Sequence, residues 1–141
     1  MTPFDRQVRT EIYKMFISGR EVVDSAALAE SQGWDVADVS ASLAWLQQNH
    51  MLCLVPGTDR VQIANPFSGI PTDYVSLIDG RRWYANCAWD GLAVLSLLGD
   101  GQMRRLDTGL SWTVRDGAVS PDGFIHLLVP AQRFWDDVAF T

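Results

Sequence analysis

The stretch Trp83-Tyr84-Ala85-Asn86-Cys87-Ala88-Trp89-Asp90-Gly91-Leu92 constrains this chain more than any other. Trp83 to Ala85 reads as a strand, entered from the turn Asp79-Gly80. Ala88 to Leu98 reads as an apolar helix closed by Gly99. The junction therefore puts Cys87 at a helix N-terminus and Asp90 about one turn further on. Free backbone amides and the positive end of the helix dipole lie there, which predicts a lowered thiol pKa for Cys87. A thiolate is a soft ligand that suits soft metal ions. Asp90 is placed to take the proton as a sulfur–metal bond forms and to return it later. Spacing alone is equally compatible with a buried core cysteine beside a carboxylate that stabilises a first helical turn.

The chain has 141 residues, enough for one ordinary domain or two very small ones. An apolar fraction of 48% and six tryptophans are sufficient to build a core. No apolar run approaches the length of a membrane span. Met1-Thr2-Pro3-Phe4-Asp5-Arg6 lacks the charged and apolar regions of a signal peptide. A cytoplasmic protein with no membrane partner is the expectation. Cys53 and Cys87 are the only cysteines, and both are expected as reduced thiols rather than a disulfide framework. The net charge of -6 disfavours a polyanionic partner unless a basic patch is present.

The predicted fold class is α/β in the α+β sense, with two units. Residues 1–65 read as a winged-helix-like unit of three helices and a hairpin. Phe4, Val8, Ile12, Met15 and Phe16 follow helical spacing, and Gly19 ends that helix. Asp24 or Ser25 caps a short second helix containing Ala27 and Leu28. After the turn Gln32-Gly33-Trp34, Asp35 caps a third helix with Val36, Val39, Leu43 and Leu46 on one face. Met51–Val55 and Val61–Ile63 read as hairpin strands around Pro56-Gly57-Thr58-Asp59. Asn65-Pro66-Phe67-Ser68-Gly69-Ile70-Pro71 reads as a linker rather than an element. Residues 66–141 read as a small mixed β/α unit. Its strands are predicted at Tyr74–Leu77, Trp83–Ala85, Leu110–Val114 and Ile125–Val129, with turns at Asp116-Gly117 and Pro121-Asp122-Gly123. Phe134 to Phe140 approaches a further element.

A winged helix usually places its third helix in the major groove with basic residues towards the phosphates. From Asp35 to Asn49 this helix has no lysine or arginine, and it carries Asp35 and Asp38; the hairpin adds only Arg60. A scaffold role, without nucleic acid, is therefore expected. Other polar residues read as structural. His50 is expected at helix-terminal carbonyls and His126 as a structural histidine in a strand. Cys53 is expected buried in its strand, Asp136-Asp137 as a solvated pair, and Arg81-Arg82 as a surface pair flanking a turn. No zinc-ligand spacing, glycine-rich phosphate loop or Gly-x-Ser-x-Gly elbow occurs.

Tyr84-Ala85-x-Cys87-Ala88-x-Asp90-x-Leu92, followed by Leu97-Leu98-Gly99, resembles the active-site segment of the alkylmercury lyase (organomercurial lyase) family. The resemblance extends over most of the chain: the winged-helix-like half, Pro66-Phe67-Ser68, the Thr108-Gly109 turn and Phe134-Trp135. It implies an enzyme of the alkylmercury lyase fold that cleaves carbon–mercury bonds by protonolysis. It also implies that Cys87 binds mercury and that Asp90 moves the proton and joins the metal site. Trp83, Tyr84 and Trp89 are candidates to line an apolar pocket for the organic group, although ordinary core packing is the more common role of such residues.

The resemblance is incomplete at one point. Aligned this way, the family's second catalytic cysteine falls just past Thr141. Arg104-Arg105-Leu106-Asp107, ahead of Thr108-Gly109, holds no thiol either. The expectation is a chain with one catalytic cysteine that lacks the final part. No cofactor is required. Mercury belongs to the substrate and product, and the second sulfur is expected from an external small thiol, a partner chain or a missing C-terminal segment. The expected partner is a small organomercurial or a soft metal ion. The alternative from a different class is a non-catalytic soft-metal- or effector-binding protein, or a winged-helix transcriptional regulator.

Overall fold

Thr2 opens the first helix with reciprocal bonds. Its hydroxyl accepts from the Asp5 amide (3.1 Å), and its own backbone N–H donates to Asp5 Oδ2 (2.6 Å). The computed structural model describes residues 1–127 and 129–136. Within them α1 spans Pro3–Ile17, α2 Ser25–Gln32 and α3 Val36–Gln48, with Asp24 and Asp35 as the expected N-caps of the second and third. Asp5 is buried, and Ser42 of α3 donates to its Oδ1 (2.8 Å), so the capping carboxylate also ties α1 to α3. Val8, Ile12, Val39, Leu43 and Leu46 are fully buried between these helices. Val36, expected on the buried face, is instead exposed at the first turn of α3.

The strands are β1 Cys53–Leu54, β2 Val61–Ala64, β3 Phe67–Ser68, β4 Tyr74–Ile78 and β5 Arg81–Ala85. After α4 (Ala88–Leu98) come β6 Gly101–Arg105, β7 Ser111–Arg115 and β8 Ala118–Ser120. They form one eight-stranded antiparallel sheet in the order β1-β2-β3-β5-β4-β6-β7-β8. The fold is therefore α+β, as expected. No helix among the described residues is long and apolar enough to cross a membrane.

Four expectations change. The segment read as a linker contains β3, which joins β2 to β5, so the sheet continues through it. Phe67 drives this: it is buried and stacks on Phe16 of α1 at 5.7 Å between ring centroids. Proline and glycine marked the turns correctly but hid a two-residue strand between them. Second, β6 and β8 were not foreseen. The β6 sequence Gly-Gln-Met-Arg-Arg has only one buried residue, Met103, and β8 is exposed throughout. Such strands are set by backbone pairing with neighbours and carry little hydrophobic pattern. Third, the described part of Ile125–Val129 forms no strand; it is irregular and largely exposed, and Leu128 lies outside the described residues. His126 is accordingly exposed rather than held in a strand. Fourth, Phe134 and Trp135 follow a short 3-10 turn at Ala131–Arg133, and residues 137–141 of the expected closing element lie outside the described residues.

Arg81 and Arg82 lie within β5 and are engaged. Arg81 Nη2 donates to the Ser18 carbonyl (2.7 Å), satisfying the open end of α1, and its guanidinium lies over Trp83. Arg82 pairs with Glu21 (2.8 Å). Trp83 is buried, and its Nε1 donates to the Phe16 carbonyl (2.8 Å). These contacts lock α1 onto β5, the strand that leads into the Cys87 segment.

Helix α4 packs on β4, β5 and β6, and its approach is close because of two glycines. A Cβ on Gly91 would stand 2.6 Å from Met103 Cγ; one on Gly101 would stand 2.3 Å from the Leu77 carbonyl oxygen. The first obstacle is a flexible side chain and the second is backbone. Gly101→Ala is therefore expected to cost about 2 to 3 kcal/mol by overpacking. Gly91→Ala is expected to cost about 1 kcal/mol, because helix propensity returns part of the strain. Urea unfolding of both variants checks the ranking; equal losses, or the reverse order, would contradict this account of the packing.

Candidate functional site

Cys87 is the N-cap of α4, with extended backbone (φ -152, ψ -178), directly after β5. Its carbonyl accepts the first helical bond from Gly91 N–H (2.9 Å). At the same turn the Gly91 carbonyl accepts from the fully buried Ser76 hydroxyl of β4 (2.7 Å). The start of α4 is thereby fixed to the sheet, and Asp90 comes to lie beside Cys87. Both side chains are half-buried. The thiol makes no capping hydrogen bond.

Asn86 completes the group, and sequence reasoning did not single it out. Its Nδ2 donates to Asp90 Oδ2 (3.1 Å) and to Asn65 Oδ1 (3.1 Å), with a longer contact to the Phe67 carbonyl (3.5 Å). The Asn65 carbonyl in turn accepts from the Tyr13 hydroxyl of α1 (3.1 Å). A polar chain thus runs from α1 through Asn65 and Asn86 to Asp90. The only sequence signal for it was an asparagine at a helix N-terminus, which is common enough as a cap to pass unremarked.

Cys87, Asp90 and Asn86 open into a cavity of about 480 Å³. Its other walls are Ile63, Asn65, Pro66, Trp89, Ala93, Leu127, Phe134 and Trp135. The surface is mainly apolar, with Cys87 and Asp90 the only titratable groups among these lining residues. Trp135 stacks on His50 at 4.6 Å between ring centroids. His50 has left-handed backbone (φ 57) in the turn after α3, so its ring supports the cavity wall instead of capping carbonyls.

The three aromatic candidates separate. Trp89 is 64% exposed and lines the cavity. Trp83 and Tyr84 do not line it. Trp83 belongs to the core, and Tyr84 borders a small depression beside Arg82 and Glu21. The physical reason is that both sit in β5, whose pairing with β4 through Ser76↔Trp83 and Val75↔Tyr84 commits them to the body of the sheet. Trp89 lies on the exposed side of α4. Cys53 stands opposite Ile63 in the β1–β2 pair but is not a cavity wall residue, and it is half-buried rather than buried. Both cysteines are free thiols.

The electrostatics revise one expectation. The Cys87 thiol is pushed up from its ordinary value, not down: burial is the main cause, and the neighbouring Asp90 charge adds to it. The amides of Asp90 and Trp89 favour the thiolate but do not prevail. Asp90 is also pushed up, by burial, against the opposing hydrogen bonds from Asn86 and Cys87. Two acids that share one dry corner resist ionising together. No group of three or more His, Cys, Asp or Glu side chains that could hold a metal occurs among the described residues. What the arrangement offers is one soft sulfur donor hydrogen-bonded to one carboxylate beside an apolar chamber.

The raised Asp90 carries a stability consequence. A carboxyl whose folded pKa lies above its unfolded value favours the fold when protonated, and that contribution is lost as pH rises through the folded pKa. Asp90→Asn is therefore expected to be more stable than the parent at pH 7, with the gap closing as pH falls through the carboxylate range. Thermal unfolding across pH 3 to 8 checks this. A gap that widens on acidification would contradict the assigned shift.

No known protein family matches this sequence, and no curated protein matches it. Among solved structures, the fold is similar to that described as the mercury-bound form of MerB2. The TM-score is 0.64 and the identity 24%, over 86% of this chain and 62% of the other. The chain thus spans 62% of that protein's length, and the likeness is one of fold.

Proposed function

We propose that this chain is an alkylmercury lyase-like protein that binds organomercurials at Cys87 and protonolyses their carbon–mercury bond with Asp90. The observation that carries the reading is the placement of Cys87 and Asp90 side by side in an apolar cavity of about 480 Å³. A fold shared with a protein solved in a mercury-bound form supports it, as does the resemblance of Tyr84 to Gly99 to the family's active-site segment.

The chemistry follows from the two groups. The Cys87 thiol is protonated at neutral pH, because burial and Asp90 both hold it up. Capture of R–Hg⁺ forms the sulfur–mercury bond, and the thiol proton passes to Asp90. A second thiolate, supplied by a small thiol in solution, then adds to mercury and pushes electron density onto it. The carbon–mercury bond breaks, its electron pair goes to carbon, and Asp90 protonates that carbon. The products are R–H, mercury held by two sulfurs, and Asp90 again as carboxylate. Trp89, Phe134 and Trp135 give the organic group an apolar wall. Cys53, which does not line the cavity, takes no part.

Release of benzene from phenylmercury in excess small thiol tests the reading. The parent chain is expected to release benzene, and Cys87→Ser to lose both release and stoichiometric capture. Asp90→Asn is expected to keep capture while release falls about 10²- to 10⁴-fold, the usual loss of a positioned proton donor. Cys53→Ser is expected to match the parent. Capture is expected to speed up as pH rises from 6 towards the thiol range, because more Cys87 is ionised. A chain that holds mercury at Cys87 but never forms benzene would be a soft-metal binder, and the lyase reading would be wrong.

A further inference from the structure

Asn86 is the one polar cavity residue that touches Asp90 and has no part in the reaction just described. Its Nδ2 faces three acceptors: Asp90 Oδ2, Asn65 Oδ1 and the Phe67 carbonyl. The Phe67 carbonyl and the carboxylate cannot donate, so the side-chain amide has its nitrogen, not its oxygen, on this side. The two shorter bonds use both hydrogens of the amide. Asn86 is thus held between a fixed loop and the acid.

The loop is fixed independently of Asp90. Pro66 and Phe67 are buried, β3 pairs with β2 and β5, and Tyr13 of α1 donates to the Asn65 carbonyl. The clamp therefore has a rigid end in the core and a working end on the carboxylate. Asp90 Oδ2 is occupied by Asn86; Oδ1 accepts no hydrogen bond from Asn86.

We propose, on the functional reading above, that Asn86 is the positioning residue of Asp90: its amide, anchored on Asn65 and the Phe67 carbonyl, engages Oδ2 and leaves Oδ1 to exchange the proton with Cys87 and the leaving carbon. Without this bond the half-buried carboxylate would keep only its hydrogen bond with Cys87, its proton partner, and no tie to the rest of the fold. Proton transfer depends steeply on such placement, and a misplacement of about 1 Å can cost 100-fold. The requirement falls on the release step alone, since capture of mercury by Cys87 does not need the carboxylate aimed at carbon.

Two variants separate positioning from space-filling. Asn86→Ala removes the donor and the volume. Asn86→Asp keeps the shape, removes the donor and sets a second carboxylate against Oδ2. If Asn86 positions Asp90, both variants capture phenylmercury stoichiometrically, as followed by quenching of tryptophan fluorescence. Benzene release then falls about 10- to 100-fold in Asn86→Ala and further in Asn86→Asp. If Asn86 only fills space, Asn86→Asp retains more release than Asn86→Ala, and the proposal is overturned. Equal losses of capture and release would overturn it too.

A readout without turnover covers failure of the lyase reading itself. In the ¹⁵N-labelled parent, the Asn86 side-chain amide protons are expected to be shifted from solvent-exposed values and slow to exchange. Asp90→Ala is expected to move them while backbone amides of the core stay in place. Solvent-like Asn86 protons, or protons indifferent to Asp90→Ala, would refute the clamp. If the parent releases no benzene yet the amide protons respond to Asp90, the lyase reading falls and the clamp stands.

Discussion

Everything at the site depends on how closely α4 lies against the sheet. Gly91 removes the side chain that would hold the first turn away from Met103, and the buried Ser76 hydroxyl binds the Gly91 carbonyl from below. Those contacts fix the helix start in depth and rotation. Cys87, as N-cap, and Asp90, in the first turn, then have no choice but to emerge on the same side. Gly101 does the same at the far end, where β6 passes under Leu95 and beside the Leu77 carbonyl. The chemistry of the pair is thus inherited from a backbone approach that two missing side chains permit.

The pair itself is destabilising in its charged form. Burial raises both Cys87 and Asp90, and the Asp90 charge raises Cys87 further. A core would ordinarily replace such a pair with apolar residues. Two acids held against ionisation in one cavity are a pattern that recurs at functional sites. The helix N-terminus, which by itself lowers a thiol, is not enough here because Cys87 is withdrawn from water.

The helices were legible because they announce themselves locally. Gly19, Asp24, Asp35 and Gly99 mark ends, and Val8, Ile12, Leu43 and Leu46 mark buried faces at helical spacing. Cys87 and Asp90 were legible as a pair for the same reason: a strand-to-helix junction fixes their separation. What escaped was non-local. Strand β3 exists because Phe67 finds Phe16, more than fifty residues away, and no window around Pro66 contains that fact. Strands β6 and β8 have little apolar pattern of their own. Trp83 and Tyr84 looked like pocket residues because they adjoin Cys87 in sequence, yet pairing with β4 turns them into the body of the sheet. The opposite wall, Phe134 and Trp135, lies far along the chain from the pair it faces.

The N-terminal helices acquire a role from the same contacts. Asp35 and Asp38 stand at the exposed start of α3. What α1 does is structural and directed. Its terminal carbonyls accept from Arg81 and Trp83 of β5, and its Tyr13 reaches the Asn65 carbonyl. The first pair of bonds fixes the strand that enters the site from one side. The Tyr13 bond fixes the loop that holds Asn86 from the other. A carboxylate on the first turn of a helix has at least two rotatable bonds, and an acceptor–donor chain grounded in a second element ties them to the rest of the fold. On the functional reading proposed above, the helical half therefore aims the acid without touching the substrate, and the site needs the helices for direction as much as for stability.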